Sequence, residues 1–354
     1  MLFPLVSFPY ASRILGPDGI GKVQFITTFA QYFVLIAALG IPLYGIIEVA
    51  KVKNDQEKLS KVFSELLIIN LLTSLILLSV YITIICLFNW FQPDLEFYLF
   101  GCIIVFAGFS SVDWFYIGVE KVRDIALRSI LIRVFSLIGL FTLVKTKNHL
   151  LIYFLIIILA IVVNNLWNLY YVLKSVKFLY KEAKLKKHLP ILLALLGTTI
   201  SVGIYTTMDT LLLGFLSNDT AVGYYSAAIK GTKMFIPIVA AFGIILIPAI
   251  TQSIVANELG DVQKLADKSF AFTCFIAVPI SFGLYIYAPE IITIFSGNEF
   301  IKAIPAMQIA SPLVFLIGLG HLFGYQLLIP SNNERKYLLA TIFGMSISLI
   351  FNYY

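Results

Sequence analysis

The chain has 354 residues, of which 60% are hydrophobic and only 12% charged, with a formal net charge of +6. Its mean hydropathy is +0.95. Soluble domains carry about 25% charged residues, so this composition excludes a soluble globular enzyme and reads as an all-α polytopic membrane protein. The positive charge does not imply nucleic acid as a partner, because most basic residues sit in short loops between apolar runs, where they set orientation.

Residues 1–12 are apolar but only about half a span long, and no basic segment precedes them, so no cleavable signal peptide is expected. Residues 13–22, RILGPDGIGK, are expected to form a polar, glycine-rich connector. Apolar spans then follow at residues 24–47, 63–88, 98–119, 129–144, 150–173, 189–216, 221–250, 270–295 and 303–329. A last apolar run covers residues 337–354. The reading is about ten complete spans plus partial first and last helices.

Of the 25 Lys and Arg residues, 17 lie in alternate loops, five in the other loops and three (Arg133, Lys230, Lys233) within spans. The positive-inside rule places the richer set in the cytoplasm. Its most basic member, residues 174–188, KSVKFLYKEAKLKKH, is expected to link an N-terminal lobe, residues 1–173, to a C-terminal lobe, residues 189–354.

An internal repeat supports two lobes. Leu15-Gly16-Pro17-Asp18-Gly19-Ile20-Gly21 resembles Leu213-Gly214 followed by residues 219–223. Each copy precedes a long span ending near a proline, Pro42 or Pro248, and then a loop with Lys58-Leu59-x-Lys61-x-Phe63 or Lys264-Leu265-x-x-Lys268-x-Phe270. An even number of spans separates the copies, so they run parallel through the membrane. Two six-helix lobes related about the membrane normal are a transporter architecture.

Residues 205–248 hold the most informative charges. Two spans flank the turn Ser217-Asn218-Asp219-Thr220. Asp209 lies about 12 Å before that turn and Lys230 about 15 Å after it, at 1.5 Å per residue. Both reach the middle of the bilayer, where a charge costs several kcal/mol unless it meets a partner or water. Lys230 and Lys233 share a helix face. They read either as ligands for an anionic substrate or as structural lysines, with Asp209 the counter-ion of Lys230. Arg13 stands at the outer mouth, as phosphate ligand or interfacial anchor. Arg133 and Asp113 lie at similar depth on neighbouring spans and are expected to pair. Asn164, Asn165 and Asn168 fit sugar hydroxyls or neighbouring helices. Gly320 and Gly324 beside His321 form a GxxxG close-packing pattern.

Cys86, Cys102 and Cys274 lack disulfide or metal-ligand spacing, and His149, His188 and His321 are scattered. No metal and no cofactor is expected. Gly16-Pro-Asp-Gly-Ile-Gly21-Lys22 imitates a phosphate-binding loop, but Val23 stands where Ser or Thr would hold magnesium.

Several motifs together resemble the oligosaccharide flippases, the Wzx-type O-antigen and polysaccharide exporters of the multidrug/oligosaccharidyl-lipid/polysaccharide superfamily. They are Pro9-Tyr10-Ala11-Ser12-Arg13-Ile14-Leu15-Gly16-Pro17 with Gly19 and Gly21; Ala50-Lys51 to Phe63; Trp114-Phe115-Tyr116 with Gly118 and Glu120; and Met208-Asp209 to Gly214, followed by Gly223-Tyr224-Tyr225-Ser226-Ala227-Ala228-x-Lys230. The resemblance covers nearly the whole chain, and against the family's helix count both ends look truncated. It implies movement of an undecaprenyl-pyrophosphate-linked oligosaccharide across a bacterial cytoplasmic membrane for O-antigen, capsule or exopolysaccharide assembly, by alternating access through a cationic lumen. Membrane lipids, a polysaccharide polymerase, a chain-length regulator and a coupling proton or sodium ion are the partners it implies.

The physics agrees, since a pyrophosphate-sugar headgroup does not cross hydrocarbon unaided and a wet basic cavity offsets its desolvation. The alternative is a cation-coupled multidrug antiporter of the same superfamily, for which acidic cavity residues are expected; two lysines against one aspartate favour an anion. A membrane glycosyltransferase would need large outer loops with catalytic acids, and the outer loops here are short.

Overall fold

The computed structural model describes residues 2–179, 184–256, 258–331 and 333–353. Residues 180–183, within the basic linker, lie outside it. The described residues are helical throughout, without a strand. In chain order the helices are α1 (Leu2–Ala37), α2 (Ile41–Val52), α3 (Gln56–Leu87), α4 (Leu95–Ala107), α5 (Asp113–Gly118), α6 (Val122–Leu143), α7 (Leu150–Ser175) and α8 (Leu189–Leu216). They continue as α9 (Asp219–Lys233), α10 (Ile236–Val255), α11 (Leu259–Ile286), α12 (Ala288–Ser296), α13 (Ile304–Ala310), α14 (Leu313–Gly320) and α15 (Glu334–Tyr353), with a π-helical stretch His321–Leu328 after α14. Six helices among the described residues are long and apolar enough to cross a membrane, or nine if each bent pair counts as one span. The chain is a multi-pass membrane protein.

The expected connector at residues 13–22 is not a loop. It is helical on both sides of a kink at Gly16, whose φ of 70° and ψ of 178° interrupt α1. Glycine tolerates that conformation, and Pro17 restarts the helix with an amide that needs no partner. The mimic of a phosphate-binding loop is therefore part of a membrane helix.

Other expected spans are broken as well, at positions with a physical cause. The first ends at Ala37, because Leu39 (φ 50°) and Gly40 (φ 83°) turn the chain left-handed and Pro42 opens α2. The span at 98–119 splits into α4 and α5 where the Ser110 hydroxyl bonds the Ala107 carbonyl at 2.7 Å, a local bond that competes with the helix ladder. Pro237 and Pro289 stand in the first turns of α10 and α12, and Pro312 directly precedes α14, each dividing a run expected to be continuous. Proline suits a first turn and breaks an interior.

Contacts divide the chain into two compact units: Val23–Leu211, and Met1–Lys22 together with Leu212–Tyr354. In the first, Tyr44, Phe63, Leu66, Trp114, Phe115, Tyr116 and Val172 form one buried cluster. Gly45 makes room for the Trp114 ring and Gly118 for Val49. At the other end of α3, Tyr81 is fully buried and donates to the Tyr98 carbonyl at 3.0 Å. A buried ring of this size removes some 150–250 Å² of surface from solvent.

In the second unit α1 meets α9 with no side chain between them. A methyl group on Gly21 would overlap the Asp219 carbonyl, and one on Gly223 the Pro17 carbonyl. Small residues permit such close backbone approach inside a membrane. The GxxxG expectation holds for one of its two glycines: Gly324 packs against the Tyr337 ring, whereas Gly320 meets nothing within 4 Å. A π-helical stretch begins between them, at His321.

Candidate functional site

The predicted site residues divide between the two units. In the unit holding α9, Asn218 caps the helix by accepting from the Ala221 amide at 2.9 Å. Lys230 and Lys233 both occupy the last turn, where cations favour the negative end of the helix dipole. Lys233 is exposed and Lys230 half-buried. The Lys230 ammonium sits 4.7 Å from the centre of the Phe8 ring. Phe8 in turn stacks on Phe295 at 5.3 Å. Arg13, one helical turn beyond Phe8, donates to the Ile294 carbonyl near the end of α12. Its stem lies 3.1 Å from the Cβ position of Gly297 (φ +97°). Arg13 thus satisfies an orphan carbonyl of a helix end, and both cations gather around the last turn of α12.

Asp209 belongs to the other unit, half-buried on α8. Beside it the Tyr32 hydroxyl donates to the Gly203 carbonyl at 3.0 Å and accepts from Thr207 Oγ1 at 3.3 Å. Asp209 lies within electrostatic reach of that hydroxyl.

The expected Asp113–Arg133 ion pair does not form. Asp113 accepts instead from Asn168 Nδ2 at 3.0 Å. Arg133 is exposed on α6, beside the lipid-type side chains Val134 and Phe135, which are 47% and 67% exposed. The buried positions of α6 are Ile125, Ile132 and Leu140, and Arg133 falls off that stripe. Asn164 accepts from Ser129 Oγ at 2.9 Å and Asn165 donates to the Ala107 carbonyl at 3.4 Å. These amides knit α7 to α6 and α4.

Sequence reasoning missed Arg128. Its Nη1 donates to the Tyr116 hydroxyl at 2.7 Å and to Asn168 Oδ1 at 2.9 Å. Tyr116 donates to the Asn168 carbonyl at 2.8 Å. Asp113, Asn168, Tyr116 and Arg128 form one network in which Asn168 is fully buried. A signal was available: Trp114-Phe115-Tyr116 opens with a carboxylate at Asp113, and a basic residue two turns into the next helix was counted only as loop charge.

Glu65 was missed as well, although a carboxylate well inside α3 invites attention. Both Glu65 and His188 are fully buried. Glu65 accepts from the Lys184 amide at 2.8 Å, from His188 Nε2 at 2.9 Å and from Lys187 Nζ at 3.0 Å. With Nε2 as the donor, Nδ1 is the acceptor left for the Tyr44 hydroxyl, 2.9 Å away. Ser60 and Ser64 on the same helix accept from the Lys177 and Leu179 amides at 3.1 and 2.8 Å. One face of α3 therefore holds the described part of the basic segment by its backbone.

No cluster of His, Cys, Asp or Glu fit for a metal occurs among the described residues.

Residues 1–254 match the family described as polysaccharide biosynthesis protein. A relative in Escherichia coli (strain K12), named "Putative O-antigen transporter", is 26% identical over 99% of this chain and 85% of its own length. One of the same name in Shigella dysenteriae is 23% identical over 99% of this chain and 88% of its own. Among solved structures, an inward-facing multidrug resistance MATE family transporter of the MOP superfamily superposes with a TM-score of 0.70 at 17% identity, over 98% of this chain and 84% of that one. That likeness establishes the fold, an all-helical transporter fold, and nothing about substrate.

Proposed function

Since the chain belongs to the polysaccharide biosynthesis protein family, we propose that it moves an undecaprenyl-pyrophosphate-linked oligosaccharide from the cytoplasmic to the outer leaflet. The glycan is destined for O-antigen, capsule or exopolysaccharide. The relatives named for O-antigen transport support this reading. The observation that carries it is the placement of Lys230: an ammonium half-buried about 15 Å along a membrane helix, facing the Phe8 ring. A cation at that depth is retained where it meets an anion or water, and a pyrophosphate is the anion this substrate brings. Arg13 and Lys233 add positive potential on the same unit. The lipid tail stays in the bilayer, so the chain needs to shelter only the headgroup. Alternating access, a coupling proton or sodium ion, and hand-over to a polymerase and chain-length regulator complete the reading, with the bacterial inner membrane as its place.

The test is complementation in a strain deleted for its own O-antigen flippase, scored by surface polysaccharide on gels at matched membrane levels. Rescue by the wild type, reduced at least tenfold by Lys230→Ala and largely kept by Lys230→Arg, is the expected result. Equal rescue by Lys230→Ala would remove the phosphate role from that residue. Failure of the wild type alongside a working control flippase would overturn the transport reading.

A further inference from the structure

A cavity of about 600 Å³ opens at the lysine-rich end of the unit Val23–Leu211, between the ends of α2, α3, α5, α6 and α7. Arg128 forms part of its wall. Six residues into α6, it lies about 9 Å from the helix start. The apolar part of this helix begins at Ser129, the next residue, so Arg128 stands at the edge of the hydrocarbon core, the level of lipid headgroups. The guanidinium is fixed before any ligand arrives. Its Nη1 holds the Tyr116 hydroxyl and Asn168 Oδ1, and the rings of Tyr116 and Tyr171 lie 4.9 and 4.5 Å from its carbon.

Both hydrogen-bond acceptors are neutral, and among the described residues no carboxylate lies within ion-pair distance of it. A guanidinium has five N–H donors. Two are used here, which leaves Nε and Nη2 in the bidentate arrangement that suits phosphate oxygens.

The surrounding charge fits the same ligand. The wall carries Lys53, Lys121, Arg128 and Lys174 against Glu120 and Asp124, an excess of two positive charges. Glu120 is already neutralised by Lys53 at 2.7 Å. Lys174 rests 4.4 Å above the Tyr170 ring. Tyr170 and Tyr171 remain about half exposed, 55% and 45%, as aromatic side chains do at a membrane interface.

We propose that this cavity, centred on Arg128, is a binding site for the diphosphate headgroup of a membrane lipid on the cytoplasmic side. It is separate from Lys230 and its neighbours, which lie in the other unit. Its role as a loading site for the transported substrate rests on the flippase reading; the binding itself does not.

The experiment uses the full chain in phosphatidylcholine nanodiscs and measures binding of farnesyl diphosphate by calorimetry, with inorganic pyrophosphate and phosphatidylglycerol as separate arms. Arg128→Gln is expected to weaken farnesyl diphosphate about tenfold or more, the loss of charge-assisted hydrogen bonds. Arg128→Lys should weaken it less. Lys174→Glu removes none of the Arg128 hydrogen-bond partners and reverses a wall charge, and should also weaken binding. Lys145→Ala, far along the chain in another loop, should not.

Pyrophosphate binding as tightly with the same Arg128 dependence would support the phosphate site and assign it a free ligand. Phosphatidylglycerol displacing farnesyl diphosphate would support a lipid-headgroup site of broader choice. Unchanged binding in both Arg128→Gln and Lys174→Glu overturns the proposal. If the wild type rescues the flippase-deleted strain and these variants bind and rescue equally, this site alone is refuted. If Arg128-dependent binding stands and the wild type does not rescue, the flippase reading alone is refuted.

Discussion

Gly21 and Gly223 occupy reciprocal positions where α1 crosses α9: each lacks the side chain that would strike a carbonyl of the opposite helix, Asp219 for one and Pro17 for the other. Thr220 Oγ1 donates to Asp18 Oδ1 at 3.5 Å across 202 positions of sequence, and the same offset relates Pro17 to Asp219 and Gly21 to Gly223. All three pairs obey one local two-fold relation. The internal repeat visible in the sequence is thus also a contact, with equivalent residues of its two copies touching.

Gly21→Ala and Gly223→Ala should each destabilise the protein by about 1–3 kcal/mol, the range for overpacking, because a carbonyl cannot swing aside as a side chain can. Gly283→Ala, with nothing within 4 Å of its Cβ position, should be neutral or slightly stabilising. Thermal unfolding in detergent, followed by size-exclusion fluorescence, checks both. Equal tolerance at all three positions would contradict the crossing.

Glu65 holds the basic segment through three groups on three residues, the Lys184 amide, the Lys187 ammonium and the His188 ring. Glu65→Ala leaves the His188 ring and the Lys184 amide without their acceptor, a loss of about 3 kcal/mol for a broken buried pair. Limited trypsin digestion should then cut faster after Lys184, Lys186 and Lys187. An unchanged cleavage rate would show that the segment is held by other means.

Asn168 connects Asp113 to Arg128, so its removal should couple to both. Asn168→Ala should lower stability by about 2 kcal/mol, the cost of stranding buried polar partners. Asp113→Ala should then cost less in the Asn168→Ala background than in the wild type. A double-mutant cycle on thermal unfolding measures the coupling, and strict additivity would disprove the network.

Asp55 caps α3, accepting from the Lys58 amide at 3.1 Å and from its ammonium at 2.8 Å. The Lys58 side chain first, and its backbone amide second, hold the Asp55 carboxyl below its ordinary value. A folded-state value depressed in this way contributes stability that is present above the unfolded pKa and is lost as pH falls through the folded one. The exposed setting keeps the effect small. Asp55→Asn keeps a capping oxygen and should flatten the acid dependence of the melting temperature while preserving the helix start. Asp55→Ala should lose both.

Membrane residence, the approximate places of the helices and the family were legible in the sequence, because each depends on local hydrophobicity, charge and spacing along one chain. The span interruptions at Pro237, Pro289 and Pro312 were legible in principle, since a proline inside an apolar run marks a helix start as readily as a bend. The Gly16 kink was misread as a loop because glycine and proline punctuate turns and membrane helices alike. What only the tertiary structure decided was partnership. Asp113 chose Asn168 over Arg133, Arg128 found Tyr116 and Asn168, and Glu65 found His188, 123 positions away. Helical periodicity tells which face a residue occupies, whereas its partner depends on which helices lie against that face and at what height. Those are set by packing among segments distant in sequence, and no spacing along the chain encodes them.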